Sequence, residues 1–141
     1  MKNEMTLTIP SRSENERLAR TACAAFLLEL DPTVDEIDEI KTAVSEAVTN
    51  SIIHGYGDRD GRITINARME GRIVTYEIID TGCGIADIDT ARKPLYTGKP
   101  EGERSGMGFS IMEAFADELV VESEPGKGTK IVMTKRLSDN A

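Results

Sequence analysis

The sequence predicts a two-layer α/β sandwich in which helices cover one face of a mixed, mostly antiparallel sheet. Two pairs of segments with strand character are each joined by a tight turn, and a further short strand begins the chain. Three other stretches carry apolar residues at helical spacing. A chain of 141 residues suffices for one core, so we expect a single domain over residues 1–141.

Residues 5–10 alternate apolar and polar side chains and end at a proline, which is typical of an edge strand. The first helix is expected after a cap at Ser11 or Ser13 and runs to about residue 30. Its predicted buried stripe is Leu18, Ala22, Ala25, Phe26 and Leu30.

The second helix follows a cap at Thr33 or Asp35 and reaches about residue 56. Its predicted stripe is Ile37, Ile40, Val44, Val48 and Ile52.

Residues 62–69 and 72–80 alternate with period two and form a predicted hairpin. Residues 81–108 are rich in Gly, Pro and charge and lack periodicity, which indicates a long loop. Loops of this length in a small domain are usually functional or disordered. A short helix at residues 109–119 and a second hairpin, residues 119–124 and 129–137, complete the fold.

Composition restricts the classes of partner and location. A formal net charge of −8 argues against direct, non-specific nucleic-acid binding. No apolar stretch approaches the roughly 20 residues that cross a bilayer, and the N-terminal segment lacks the features of a signal peptide. We therefore expect a cytoplasmic protein with no membrane partner, in which Cys23 and Cys83 are free thiols.

Glu46 and Asn50 lie one turn apart on the second helix. Four residues of helix turn the direction by about 40° beyond a full circle, so the two side chains share a face away from the core stripe. Ala43 and Ala47 flank the pair, and small side chains there leave room for a ligand. A solvated helix face explains the same geometry, so the pair alone does not decide the function.

Asp80 ends a strand in which it shares one face with Val74 and Tyr76. If helices cover that face, the carboxylate points inward and requires hydrogen-bond donors. Gly82 and Gly84 follow directly and allow a sharp turn or the close approach of a ligand. An ordinary glycine-rich turn is the alternative explanation.

Two more glycine motifs lie later in the chain. "SGMGFSI" (105–111) places Gly106 and Gly108 immediately before a helix, where unpaired N–H groups and the helix dipole favour phosphate. "PGKGT" (125–129) is a hairpin turn that ends at Thr129. The Walker A and dinucleotide GxGxxG spacings are both absent.

These motifs occur in a recognisable order: E-x-x-x-N on a helix, D-x-G-x-G after a strand, G-x-G before a helix and G-x-G-T in a late hairpin. The order resembles the Bergerat-fold (GHKL) ATP-binding family, which includes gyrase, Hsp90, histidine kinases and MutL. Residues 30–56 and 103–117 are most similar to the small anti-sigma serine-protein kinases of endospore-forming bacilli. This resemblance covers nearly the whole chain.

The resemblance implies a role for each motif. Asp80 would accept a hydrogen bond from the adenine amino group, Gly82 and Gly84 would let the base lie against the backbone, and Thr129 would support adenine. Asn50 matches the Mg²⁺ ligand. Mg²⁺ keeps several waters and also binds phosphate oxygens, so a single side-chain amide from the protein is enough.

Glu46 matches the general base. Ser105, Gly106 and Gly108 would bind the phosphates. Lys99 and Arg104, in the loop that would form a nucleotide lid, are candidates for the terminal phosphate; solvated loop charges explain them equally well. His54, the only histidine, is interpreted as supporting or structural.

The resemblance also implies the activity and the partners. An ATP-dependent kinase would phosphorylate a Ser of an anti-anti-sigma factor, and it would bind and inhibit a sporulation sigma factor of RNA polymerase. ATP or ADP would select the partner, and the chain would form a homodimer.

The alternative is a nucleotide-gated module that only sequesters the sigma factor, for which a base at Glu46 is unnecessary. A detached histidine-kinase domain is disfavoured because no phospho-acceptor helix is present, and a gyrase-like ATPase would need further domains.

Arg17 and Arg20 lie outside the predicted stripe of the first helix. Arg binds carboxylates through two parallel hydrogen bonds and is enriched among residues that dominate interface energy. We therefore expect Arg20 to contact an acidic partner, although isolated basic residues on an acidic domain are commonly just solvated.

Overall fold

Five strands and three helices form the part of the chain that the computed structural model describes, residues 2–57, 59–85 and 108–139. The elements are β1 (Lys2–Pro10), α1 (Glu14–Leu27), a 3₁₀ turn (Leu28–Leu30), α2 (Val34–Asn50), a π-helical segment (Ser51–Tyr56), β2 (Arg62–Glu70), β3 (Ile73–Asp80), α3 (Gly108–Phe115), β4 (Glu118–Glu124) and β5 (Gly128–Arg136). None of the described helices is long and apolar enough to cross a membrane.

The strands form one sheet in the order β1-β2-β3-β5-β4. Each described pairing is antiparallel, so the predicted α/β class is confirmed while the expected mixed pairing is replaced by an antiparallel one. Both predicted hairpins are present, because alternating strands on either side of a tight turn fix the register. In that register one row on the covered face consists of Ile9, Ile63, Asp80, Thr129 and Ser123.

The buried face of α1 differs from the predicted stripe. Leu18 is 50% exposed and Ala25 is also exposed, so both assignments are wrong. The buried side chains are Ala19, Cys23, Phe26 and Leu27. Small residues at positions 19 and 23 let α1 approach its neighbours closely, and this outweighs the greater apolar area of Leu18.

The second helix begins and ends as the sequence predicts. Thr33 caps α2 and forms a capping box with Glu36, and helical structure continues through the π-helical segment to Tyr56. Because α2 contacts both α1 and α3, its small residues Ala43 and Ala47 are buried rather than lining an open surface.

Glu36 ties the start of α2 to the end of the chain. Its carboxylate accepts hydrogen bonds from the Thr33 N–H (2.9 Å) and the Ser138 N–H (2.7 Å), and the residue is only 7% exposed. Burial alone would raise the pKa of Glu36, but the hydrogen bonds from Thr33 and Ser138 together lower it below its ordinary value of 4.5. The ionised form is thus favoured by the fold.

Replacing Glu36 by Gln is expected to lower the free energy of unfolding by about 1–3 kcal/mol at pH 7, because an amide cannot accept both hydrogen bonds. A lowered pKa in the folded state stabilises the protein above pH 4.5, and this contribution is lost as the pH falls through the folded pKa. Urea titrations at pH 7 and below pH 4.5 should therefore show that the difference in free energy of unfolding between wild type and Glu36→Gln is smaller in acid. Asp38→Asn, at an exposed position of the same helix, is the control. A gap that is equal at both pH values would contradict this origin.

Candidate functional site

Asp80 lies at the end of β3 on the face that the helices cover and is 3% exposed, as the strand pattern predicts. Its Oδ2 accepts a hydrogen bond from Ser51 Oγ at 2.7 Å, and its Oδ1 accepts one from the Gly82 N–H at 2.9 Å. Each oxygen of an ionised carboxylate can accept more than one hydrogen bond. Asp80 is therefore satisfied internally and still has acceptor capacity for a ligand.

The turn after β3 is bound to the π-helical segment that continues α2. The Gly55 carbonyl accepts a hydrogen bond from the Cys83 N–H (2.8 Å), and the Tyr56 hydroxyl accepts one from the Thr81 N–H (2.8 Å). The His54 carbonyl accepts a hydrogen bond from the Cys83 thiol at 2.9 Å. Through these contacts the helix that carries the predicted base and metal ligand also holds the turn next to Asp80.

Two glycines of this turn are required by close backbone packing. A Cβ on Gly82 would lie 2.2 Å from the Gly55 carbonyl oxygen. At Gly84 φ is +75°, and a Cβ would lie 2.0 Å from the carbonyl oxygen of Glu124. The protein's own backbone thus explains both glycines, in addition to the room for a base that the resemblance implies.

Thr129 stands directly opposite Asp80 in the β3–β5 register and is 5% exposed. Its hydroxyl oxygen is 2.8 Å from Ser123 Oγ, which also accepts a hydrogen bond from the Ile85 N–H at 2.7 Å. Ser123 therefore connects Thr129 to the end of the glycine-rich turn. Sequence reasoning missed Ser123, although its alternation on β4 places it in the same row as Asp80 and Thr129.

Glu46 and Asn50 are both half-buried in the last turns of α2. Gly108, the first residue of α3, lies against Glu46, since a Cβ on Gly108 would be 3.3 Å from Glu46 Oε2. The structure thus brings the predicted base next to one of the predicted phosphate-binding glycines. Lys99, Arg104, Ser105 and Gly106 lie outside the described residues.

A metal at this end of the site would depend on Asn50. Among the described residues no group of three or more His, Cys, Asp or Glu side chains is arranged to hold a metal ion. The amide oxygen of Asn50 is a ligand of the kind Mg²⁺ accepts, and the remaining positions can be filled by phosphate oxygens and water. The residues present therefore fit a magnesium ion that arrives with a nucleotide.

Known proteins with related sequences identify the family of this chain. A family model described as "Histidine kinase-like ATPase domain" matches residues 9–135. The anti-sigma F factor of Clostridium acetobutylicum is 54% identical over 138 residues, which cover 98% of this chain and 96% of that protein. The anti-sigma F factor of Geobacillus thermodenitrificans is 58% identical over 139 residues, which cover 98% and 95%. The chain belongs to the anti-sigma F factor family of histidine kinase-like ATPase domains.

Solved structures extend the anti-sigma F family's fold to more distant proteins. The RsbU and RsbW domains of Rv1364c from Mycobacterium tuberculosis match with a TM-score of 0.72 at 24% identity, over 99% of this chain and 33% of that one. The catalytic domain of histidine kinase ThkA matches with a TM-score of 0.60 at 17% identity, over 97% and 96%. At these identities the likeness establishes the fold, and the family resemblance drawn from the motifs is confirmed.

Proposed function

We propose that this chain is an anti-sigma factor and an ATP-dependent protein-serine kinase. It binds and inhibits a sporulation sigma factor, and it phosphorylates a serine of an anti-anti-sigma factor. The observation that carries this proposal is the contact between Glu46 and Gly108 at one end of a site whose other end is the buried, satisfied Asp80. The names of the relatives support the sigma factor as a partner.

Adenine would bind at the Asp80 end, with its amino group donating to the carboxylate and Thr129 supporting the ring. Phosphates would extend toward α3, where Gly108 begins a helix and Ser105 and Gly106 precede it. Lys99 and Arg104 would contact the terminal phosphate. A magnesium ion held by Asn50, when bound, would neutralise phosphate charge.

Glu46 would act on the protein substrate. As the serine oxygen of the anti-anti-sigma factor forms a bond to the γ-phosphorus, its proton passes to the Glu46 carboxylate. The bond from the γ-phosphorus to the β–γ bridging oxygen breaks, and ADP leaves with that electron pair. The half-buried position of Glu46 beside Gly108 supports a role next to the phosphates, since a solvated surface carboxylate would not be packed there.

The nucleotide would select the partner. The ATP form would hold the sigma factor and the ADP form the unphosphorylated anti-anti-sigma factor, which requires a segment that differs between the two states. The predicted loop of residues 81–108, most of which lies outside the described residues, is the segment we assign to this role. A regulator of a sigma factor acts where RNA polymerase is, in the cytoplasm. We also expect a homodimer, because β1 lies at an edge of the sheet.

Incubation with γ-labelled ATP, Mg²⁺ and the candidate anti-anti-sigma factors of the same genome tests the proposal. We expect label on one serine of one of these proteins, and sigma-factor binding that requires ATP. ATP-dependent sigma binding without label on any of them would favour the alternative, a sequestering module without kinase activity. If neither serine labelling nor ATP-dependent sigma-factor binding is observed, both the anti-sigma and the kinase function are excluded.

Cys83 provides an independent test of where the nucleotide binds. It is exposed between Gly82 and Gly84, whereas Cys23 is buried, and burial raises the pKa of the Cys23 thiol to about 12. Saturating ATP should slow alkylation of Cys83 by about tenfold or more, because only the free protein would react. Mass spectrometry can follow both thiols, with Cys23 as the internal unreactive control and UTP as the control nucleotide. Equal rates of Cys83 alkylation with and without ATP would show that adenine binds elsewhere.

Arg20 is the residue we assign to partner binding. Its side chain is half-buried and forms an ion pair, with its Nε 3.6 Å from Glu16 Oε2. Glu16 also accepts a hydrogen bond from Ser45 on α2. The guanidinium is still partly exposed, so it can also pair with a carboxylate of a partner.

Arg20→Glu is expected to weaken binding of the sigma factor or of the anti-anti-sigma factor by more than about 1 kcal/mol, while ATP affinity stays unchanged. The new carboxylate one turn from Glu16 costs only a few tenths of a kcal/mol of helix stability, so folding should persist. Arg136→Glu, an exposed charge reversal on β5, is the control for net charge. Equal partner affinities in surface plasmon resonance for wild type and Arg20→Glu would exclude this helix as the docking surface.

A further inference from the structure

Ser51 is the first residue of the π-helical segment and directly follows Asn50. It is 1% exposed, and its hydroxyl lies 2.7 Å from Asp80 Oδ2. An ionised carboxylate only accepts hydrogen bonds, so the hydroxyl is the donor. A hydroxyl in a helix commonly bonds back to its own backbone, whereas this one is directed at the sheet.

The hydroxyl is one of three features that fix the Asp80 carboxylate. Oδ1 receives the Gly82 N–H at 2.9 Å, so rotation of the carboxylate would break both hydrogen bonds. The backbone of Gly55 also approaches the carboxylate closely, since a Cβ added there would lie 3.0 Å from Oδ2. The carboxylate is therefore oriented before any ligand arrives.

A carboxylate held in this way accepts hydrogen bonds and has none to donate. It suits a base that presents an N–H donor and repels one that presents a carbonyl oxygen. Without the Ser51 hydroxyl, the buried Oδ2 would lack its donor and only the Gly82 N–H would hold the carboxylate, which could then rotate. A carboxylate that is no longer held in one orientation accepts a hydrogen bond from the base less well, so the preference for a donor would weaken.

We propose that Ser51 is a specificity-determining positioning residue, which holds Asp80 as an acceptor for the 6-amino group of a purine nucleotide and against a 6-oxo group. The inference rests on the proposed function, because it assumes that Asp80 binds the base. It adds a residue that acts through Asp80 and that neighbours the predicted metal ligand in the chain.

The test compares the affinities of Ser51→Ala for ATP and for ITP, which carries a 6-oxo group in place of the 6-amino group. We expect ATP affinity to fall about tenfold, with ITP affinity unchanged or higher, so that the ATP-to-ITP ratio falls by about tenfold or more. Both affinities are measured by calorimetry on the same folded protein, so a loss of active protein cancels in the ratio. Thr42→Val, which removes an exposed hydroxyl from α2, is the matched control and should keep the wild-type ratio.

Gly55→Ala gives a second approach if Ser51→Ala folds poorly, because its Cβ would lie only 3.0 Å from Asp80 Oδ2 and would push the same carboxylate. It should lower the ratio as well. An unchanged ratio in both variants, together with lost ATP binding in Asp80→Ala, would overturn the role of Ser51 and leave the proposed function intact. Normal ATP binding in Asp80→Ala would instead overturn the proposed binding of adenine by Asp80.

Discussion

Replacing Glu46 by Gln is expected to slow phosphoryl transfer by about 100-fold or more, the usual contribution of a positioned general base. Gln preserves the shape of the side chain and its packing against Gly108, but it cannot take the proton of the attacking serine. ATP binding should change little, because adenine is recognised at the Asp80 end of the site. Single-turnover transfer to the anti-anti-sigma factor, at saturating ATP, measures the chemical step alone.

Two companion variants separate the role of Glu46 from that of its neighbours. Asn50→Ala should weaken Mg²⁺-dependent nucleotide binding as well as transfer, since it removes the metal ligand. Asp38→Asn, an exposed carboxylate on the same helix, should leave both unchanged. Wild-type single-turnover rates in Glu46→Gln would remove Glu46 from the role of base and favour a module that only binds.

Most strand positions were predictable because period-two alternation and a tight turn act together. In β2 and β3 the predicted limits agree with the structure within one residue, and the alternation on β3 correctly placed Asp80 on the covered face. The position of Thr129 opposite Asp80 depends on the pairing of β3 with β5, which belong to different hairpins, and neither hairpin pattern gives that pairing. The inward direction of Asp80 therefore follows from local patterns, whereas its neighbour across the sheet does not.

Helix faces were less predictable, because their burial depends on which neighbour is packed against them. Leu18 is apolar and lies one position from Ala19, yet only Ala19 is buried. Ala43 and Ala47 lie outside the predicted core stripe of the second helix, yet both are buried. Spacing alone gives the angle of a residue around a helix and leaves open which side the next element covers.

The residues that support Asp80 were missed because they depend on a local change of helix type. Ser51 reaches Asp80 from a π-helical segment, and such segments are rare and often occur at functional sites. Nothing in the letters "NSIIHGY" marks this change. A possible signal was the demand for donors created by an inward carboxylate, for which a hydroxyl next to Asn50 is a natural candidate.

Replacing Asp80 by Ala is expected to abolish most nucleotide binding, with a loss of about 100-fold or more if the buried adenine amino group is left without its acceptor. The side chain is almost fully buried, so water cannot replace the carboxylate at low cost. Asp80→Asn should fall between wild type and Asp80→Ala. Its amide oxygen can still accept one hydrogen bond, while its amino group faces the Ser51 hydroxyl or the Gly82 N–H, both of which donate to Asp80 in the wild type.

The same contacts make a folding control necessary for Asp80→Ala. Removal of the carboxylate leaves the Ser51 hydroxyl and the Gly82 N–H without their acceptor, which lowers the free energy of unfolding by about 1–3 kcal/mol. Calorimetric titration with ATP should therefore be run well below the melting temperature, with circular dichroism of each variant for comparison. Ser51→Ala removes one of these donors and keeps the carboxylate, so it should bind ATP more tightly than Asp80→Ala does. ATP affinity equal to that of the wild type in a folded Asp80→Ala protein would show that adenine is not recognised here.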